Sequence, residues 1–156
     1  MNKTNAMRIL DSHKIPYEVH EYEANSKLTG SEIANILGEN ADSVFKTLVT
    51  ISKSKEYFVF MVPVNKELDL KKAAKAVNEK NVEMIPLKDL LKVTGYVHGG
   101  CSPIGMKKLF KVTIDESINN FEKIYFSGGK VGLQISTSRS NFLELVKPII
   151  SDITIE

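Results

Sequence analysis

The stretch Asp42-Ser43-Val44-Phe45-Lys46-Thr47-Leu48-Val49-Thr50-Ile51 holds a contradiction. Its run of Val, Phe, Thr, Leu and Ile predicts a buried strand. In its middle stands a lysine, a residue rarely buried without a partner. Side chains on a strand alternate between faces, so Lys46 shares one face with Val44, Leu48 and Thr50. Phe45, Thr47, Val49 and Ile51 line the other. The pattern predicts one face packed under helices and the other open on a cleft with Lys46 in its floor. The alternative is an edge-strand lysine that reaches solvent.

Outward from this strand, the polar turn Lys53-Ser54-Lys55 leads to Tyr57-Phe58-Val59-Phe60-Met61-Val62. That segment is apolar on both faces and predicts a central strand, paired with the first as an antiparallel hairpin. Upstream, Asn5 to His13 reads as a short helix stopped before Pro16, and Tyr17 to Tyr22 as a strand. Thr29-Gly30-Ser31-Glu32 is a capping-box pattern opening a helix that ends at Gly38. Downstream, Asp69 caps a helix through Val77, Val82 to Ile85 reads as a strand, and Pro86 starts another helix. Leu109 to Ile114, Lys123 to Phe126 and Val131 to Ile135 read as strands, with Ser127-Gly128-Gly129-Lys130 as the turn between the last two. Asn141 to Val146 closes the chain as a helix. Tyr96-Val97-His98 reads as a strand entering a glycine-rich loop. The order predicts a mixed α/β fold, a curled, mostly antiparallel, barrel-like sheet with surrounding helices.

The 156 residues are expected to form a single domain, 1–156. A net charge of +2 gives no global basic signature, so any RNA contact must come from a local patch, and no DNA partner is expected. Lys71, Lys72 and Lys75 with Lys107, Lys108 and Lys111 are candidates for that patch. The one cysteine excludes an intrachain disulfide framework and zinc sites built on two or more cysteines. That composition suits a reducing cytoplasm. No apolar run approaches the ~20 residues of a membrane span, and Met1 to Leu10 lacks the apolar core of a signal peptide.

The loop Gly99-Gly100-Cys101-Ser102-Pro103-Ile104-Gly105 is the second stretch with chemical potential. Glycine lets a ligand approach the backbone, and successive amides can form a nest for an anion or a polarised carbonyl oxygen. The loop lacks the Walker spacing, and Ser102 lies outside a nucleophile elbow, so its hydroxyl is expected to hold the loop. An ordinary turn between strands is the competing reading.

Phe45-Lys46-Thr47-Leu48, Leu68-Asp69-Leu70-Lys71-Lys72, Thr94-Gly95-Tyr96, the Gly99–Gly105 loop, and Ser127-Gly128-Gly129-Lys130 with Gly132-Leu133 occur in this order. Together they resemble the YbaK family of aminoacyl-tRNA deacylases and the editing domain inserted in bacterial prolyl-tRNA synthetases. Within that family the chain is most similar to the free-standing Cys-tRNA(Pro) deacylases. The resemblance implies hydrolysis of cysteine mischarged onto tRNA(Pro), with prolyl-tRNA synthetase as a candidate partner and a cytoplasmic location. Cysteine and proline are near-isosteres that a pocket separates by only about 1–3 kcal/mol, which calls for a second, hydrolytic site.

The resemblance also implies that Lys46 is essential and sits where the terminal adenosine and ester meet, and that Gly100 belongs to a loop contacting the aminoacyl end. Tyr22, Phe45, Thr47, Gly99, Cys101, Ser102, Pro103, Gly105 and Gln134 are the implied substrate-binding positions. It implies no metal and no other cofactor. The chain departs from the family at Gln134-Ile135, where Asp-Ile is frequent; glutamine hydrogen-bonds but cannot offset a charge. The family points to the substrate's own thiol as nucleophile, against Cys101 as a nucleophile on the enzyme. Two further alternatives are editing of another small aminoacyl ester such as alanine, and a non-catalytic binder of nucleotide or aminoacyl ends.

Overall fold

The computed structural model describes residues 2–25 and 27–156; Met1, the first residue of the polar N-terminal stretch, lies outside them. The local signals that punctuate the sequence set most element ends. Thr4 caps α1 (Asn5–Ser12) by accepting from the Met7 amide. After β1 (Glu18–Glu21), α2 (Gly30–Leu37) opens with the full Thr29–Glu32 capping box and stops at Gly38, which is left-handed at φ 69°. A 3₁₀ turn, Ala41–Ser43, leads into the hairpin β2 (Phe45–Ser52) and β3 (Tyr57–Pro63). Asp69 caps α3 (Leu70–Ala76), followed by β4 (Val82–Met84) and α4 (Leu87–Thr94). The chain closes with β5 (Lys111–Asp115), β6 (Lys123–Lys130), β7 (Leu133–Ser138), α5 (Arg139–Val146) and β8 (Ile149–Ser151).

The strands form two sheets, ordered β1-β7-β6 and β4-β2-β3-β5-β8. The fold is mixed α/β with mostly antiparallel pairing, β3–β5 and β5–β8 being parallel. It is not closed into a barrel. Between the sheets, an isolated parallel bridge joins Val44 to Tyr125. β3 is the central strand of its sheet. Val59 and Met61 enter the core between the sheets, with Phe45 and Val49 of β2, Phe126 and Ile135 of the small sheet, and Met7 and Leu10 of α1. Phe58, Phe60 and Val62 enter a second core beneath Ala73, Ala74 and Val77 of α3. β2 therefore meets both cores, Phe45 and Val49 entering the first and Leu48 packing against the second.

Three boundaries differ from the sequence reading. β6 runs straight through Gly128 and Gly129, with an irregular register between Ser127 and Lys130, and the chain reverses at Val131–Gly132, where Gly132 has φ 92°. Glycine pairs read as turns, but here Gly128 packs under Leu133 and Ile135, where a Cβ would crowd both. Tyr96-Val97-His98 is no strand: α4 ends at left-handed Gly95, and the chain turns directly into the glycine-rich loop. Leu109 lies outside β5 and is fully exposed. No helix of the described residues is long and apolar enough to cross a membrane.

Candidate active site

The cavity that brings the sequence candidates together opens where the two sheets part. β4 pairs with β2 at Thr50 to Ser52, a last bond from Ile85 reaches Val49, and the bridge to Tyr125 stands at Val44, so the outer edge of β2 from Lys46 to Leu48 lacks a ladder partner on that side. The phase of the ladder then fixes what this edge presents. Val64 N–H donates to Val44 O at 2.8 Å and Ser52 N–H to Glu56 O at 2.9 Å, so the even-numbered peptide groups of β2 face β3. The odd ones face away, as Ile85 N–H donating to Val49 O shows. The N–H and C=O of Thr47 therefore point to the open edge. The Thr47 hydroxyl is itself buried without a hydrogen-bond partner.

A cavity of about 370 Å³ lies along this edge, within the size range of small-molecule sites. Val44 to Leu48 form one wall and Ser127, Leu133 and Gln134 of the small sheet the opposite one. Tyr22, the segment leading into α2 with Lys27 and the cap Thr29, and Gly30 and Ile33 of the helix border it, as do His98, Gly99 and Cys101 of the loop. Tyr22 is held there by its N–H, which donates to Gly132 O at 3.1 Å. Lys46 lines the cavity with its side chain 29% exposed, its ammonium 3.6 Å from Glu67, itself 80% exposed. The lysine thus sits at the free strand edge, close to solvent, rather than on the floor of an open sheet face.

Of the implied site residues, the structure gathers Tyr22, Phe45, Lys46, Thr47, Gly99, Cys101 and Gln134 around one cavity. Gly100, Ser102, Pro103 and Gly105 stand outside that lining and are explained by packing. A Cβ at Gly100 would lie 2.8 Å from Val131 N and 2.9 Å from Lys130 backbone atoms, so the glycine seats the loop against the β6–β7 reversal. Ser102 is fully buried, and its hydroxyl accepts from the Ile104 amide at 3.3 Å, holding the loop as expected. Pro103 is buried beside it. Gly105 has φ 85°, and a Cβ there would meet the Tyr96 hydroxyl at 2.7 Å. That hydroxyl donates to Ile104 O at 2.6 Å, and Asn5 Nδ2 donates to Gly105 O at 2.7 Å, tying the far half of the loop to α1.

Burial pushes the Cys101 thiol up to about 11, the Thr94 side chain opposing the rise. At pH 7 roughly one molecule in 10⁴ then carries the thiolate, the form that attacks. Among the lysines read as a tRNA patch, Lys72 has another task. It pairs with Asp152 at 3.0 Å and donates to Thr154 O at 2.8 Å, anchoring the C-terminal segment. Among the described residues, no group of three His, Cys, Asp or Glu side chains is placed to hold a metal.

Sequence reasoning missed Glu39, which lies beside Gln134, and the contribution of Lys27. Glu39 follows directly after the glycine that ends α2, a position with no periodicity to mark it. Lys27 lies between strand and helix, where a charged residue reads as solvated loop.

The chain is similar to proteins already described. The Enterococcus faecalis protein EbsC, whose name proposes Cys-tRNA(Pro)/Cys-tRNA(Cys) deacylase activity, is 44% identical over 153 residues, 97% of this chain and 93% of its own. A proline–tRNA ligase of Fervidobacterium nodosum is 27% identical over 120 residues, 77% of this chain and 20% of the ligase. A crystal structure described as a proposed trans-editing enzyme for prolyl-tRNA synthetase superposes with a TM-score of 0.85 over the whole of both chains at 21% identity, which shows the shared fold. The aminoacyl-tRNA editing domain family matches residues 24–145. The chain belongs to the aminoacyl-tRNA editing domain family.

Proposed function

We propose that this protein is a trans-editing deacylase that hydrolyses the cysteinyl ester of Cys-tRNA(Pro), with the substrate's own thiol as nucleophile and 1–156 acting as one unit. Its place is then the cytoplasm, beside prolyl-tRNA synthetase. The observation that carries this reading is the composition of the cavity. It has an unpaired strand edge and a lysine for the ester and phosphate, while the thiol the chain brings to it, Cys101, is buried and held protonated. The relative named for Cys-tRNA deacylase activity supports the choice of substrate.

In this reading the Lys46 ammonium meets a phosphate or ester oxygen, and the ring of Tyr22 receives the terminal base. The Thr47 N–H is free at the edge to hold an oxygen of the acyl end. The substrate sulfur bonds to its own carbonyl carbon, the bond from that carbon to the ribose oxygen breaks, and the thiol proton ends on the departing oxygen. Water then opens the four-membered thiolactone to free cysteine. Attack by a tethered atom needs no nucleophile from the enzyme.

The test is to incubate the protein with tRNA(Pro) charged separately with cysteine, alanine and proline and to follow ester loss. The cysteinyl ester is expected to disappear while the prolyl ester persists. Loss of alanine alone would move the substrate to another small residue, and no ester loss would leave a binding module. Cys101→Ala is expected to stay within about twofold of wild type, because a protonated buried thiol contributes no attack. An inactive but folded variant, or an acyl adduct trapped on Cys101 and found by mass spectrometry, would place the nucleophile on the enzyme.

A further inference from the structure

Gln134 sits on β7, the middle strand of the small sheet, where pairing to His20 of β1 and Ser127 of β6 fixes its backbone on both sides. It lines the cavity, is only 4% exposed, and its Oε1 is buried without a hydrogen-bond partner. Glu39 stands beside it. The Glu39 N–H donates to Ala34 O at 2.9 Å, which pins the residue to the end of α2, and its Oε1 is likewise buried and unpartnered. Burial raises the Glu39 carboxyl, and the Gln134 side chain and, less strongly, the charge of Lys123 oppose that rise. Lys123 is itself paired with Glu18 at 2.6 Å.

A carboxylate only accepts, so the end of the Gln134 amide that meets Glu39 is its NH₂, and the oxygen is the end left over. Buried acceptors without donors are uncommon and costly in folded proteins. One of them belongs to a residue of the cavity wall and the other to the residue behind it, so the wall calls for a donor from whatever fills the cavity, and the negative charge behind it favours a cation. The cavity is also polar in a second sense: Lys27 and Lys46 give it a positive side suited to phosphate and ester oxygens. An aminoacyl ester carries one group that fits the other side, its free amine.

We infer that Glu39 and Gln134 form an amine-recognising wall, in which Gln134 Oε1 accepts from the α-ammonium group of the bound aminoacyl ester while Glu39 holds the amide and supplies the opposing charge. Glu39 is thus a positioning residue acting through Gln134. The inference rests on the deacylase reading for the identity of the ligand. It makes the site selective for aminoacyl esters with an unblocked amine, and against acylated or deaminated ones.

The experiment compares two non-hydrolysable probes: 3′-deoxyadenosine bearing cysteine in amide linkage at the 3′ position, and the same compound with 3-mercaptopropionate in place of cysteine, which lacks only the amine. Dissociation constants are measured by calorimetry for wild type, Glu39→Gln and Gln134→Met, with circular dichroism to establish folding. Wild type is expected to prefer the amine about ten- to hundredfold, the range of a hydrogen bond to a charged group. Glu39→Gln, which keeps shape and removes charge, is expected to reduce that preference to a few-fold at most, and Gln134→Met to abolish it. Affinity of Glu39→Gln for the probe without an amine is expected to stay unchanged, which a merely structural role for Glu39 would not produce. Equal wild-type affinities for the two probes, or an unaltered preference in Glu39→Gln, overturns the inference; ester loss from Cys-tRNA(Pro) in a parallel assay would then leave the deacylase reading standing. Amine preference without ester loss does the reverse.

Discussion

Lys46→Ala is expected to lower kcat/KM for Cys-tRNA(Pro) by about 10²–10³-fold or more, the scale of losing one charge-stabilising donor at a reacting oxygen. The fold is expected to survive. The lysine lines a cavity at a free strand edge, so its removal opens no void in either core. Its ion pair is to a glutamate that is 80% exposed, a kind of pair worth roughly 0–1 kcal/mol. The melting temperature is therefore expected to fall by no more than about 2–4 °C. Lys46→Arg is expected to fail as well, because a planar guanidinium does not replace a compact ammonium in a site shaped for it. Single-turnover kinetics with charged tRNA, alongside a thermal melt, check all three statements. A folded Lys46→Ala variant with full activity would remove this residue from the mechanism.

Gly100→Ala is expected to damage both stability and turnover. The added methyl would stand 2.8–2.9 Å from backbone atoms of Lys130 and Val131, which cannot swing aside as a flexible side chain can. Overpacking of this kind costs about 1–3 kcal/mol. The strain moves the loop that places Gly99 and Cys101 on the cavity wall, and displacement of positioning groups by about 1 Å can cost ~10²-fold in rate. The glycine is needed for the seat of the loop against the β6–β7 reversal rather than for a ligand's approach to residue 100 itself. A lowered melting temperature together with lowered kcat is the expected pair of results. An unchanged melt and unchanged turnover would show that the loop tolerates displacement.

Much of this architecture was legible because single residues carry it. Thr29, Glu32 and Gly38 mark both ends of α2, Asp69 marks the start of α3, and the two-faced apolar run at Tyr57–Val62 marks the central strand. Lys46 inside an apolar strand marks the stretch that lines the cavity. What escaped lies in long-range pairing. The early stop of β4, which leaves the β2 edge bare, depends on where a distant segment ends, and β2 itself carries no trace of it. β8 is three residues after a proline, too short for a period, and forms because β5 offers it a parallel edge. Gly128 and Gly129 read as a turn yet lie within a strand, where Leu133 and Ile135 crowd the space a side chain would take at Gly128, and Tyr96 and Thr4 the space at Gly129. The Glu39–Gln134 pair joins residues 39 and 134 through the fold alone.

Whether the substrate supplies its own nucleophile is decided by one ratio. Wild-type protein is given tRNA(Pro) esterified with cysteine and, separately, with serine, which differs only in oxygen for sulfur, and initial rates of ester loss are compared at equal concentration. Serine keeps the amine, the ester and nearly the same volume, so binding contributes little to the difference. A tethered thiol that attacks its own carbonyl predicts that the cysteinyl ester is cleaved at least about a hundredfold faster, because the seryl hydroxyl cannot replace it as nucleophile. Equal rates for the two esters would mean that water or a group of the enzyme makes the attack, and would contradict the account.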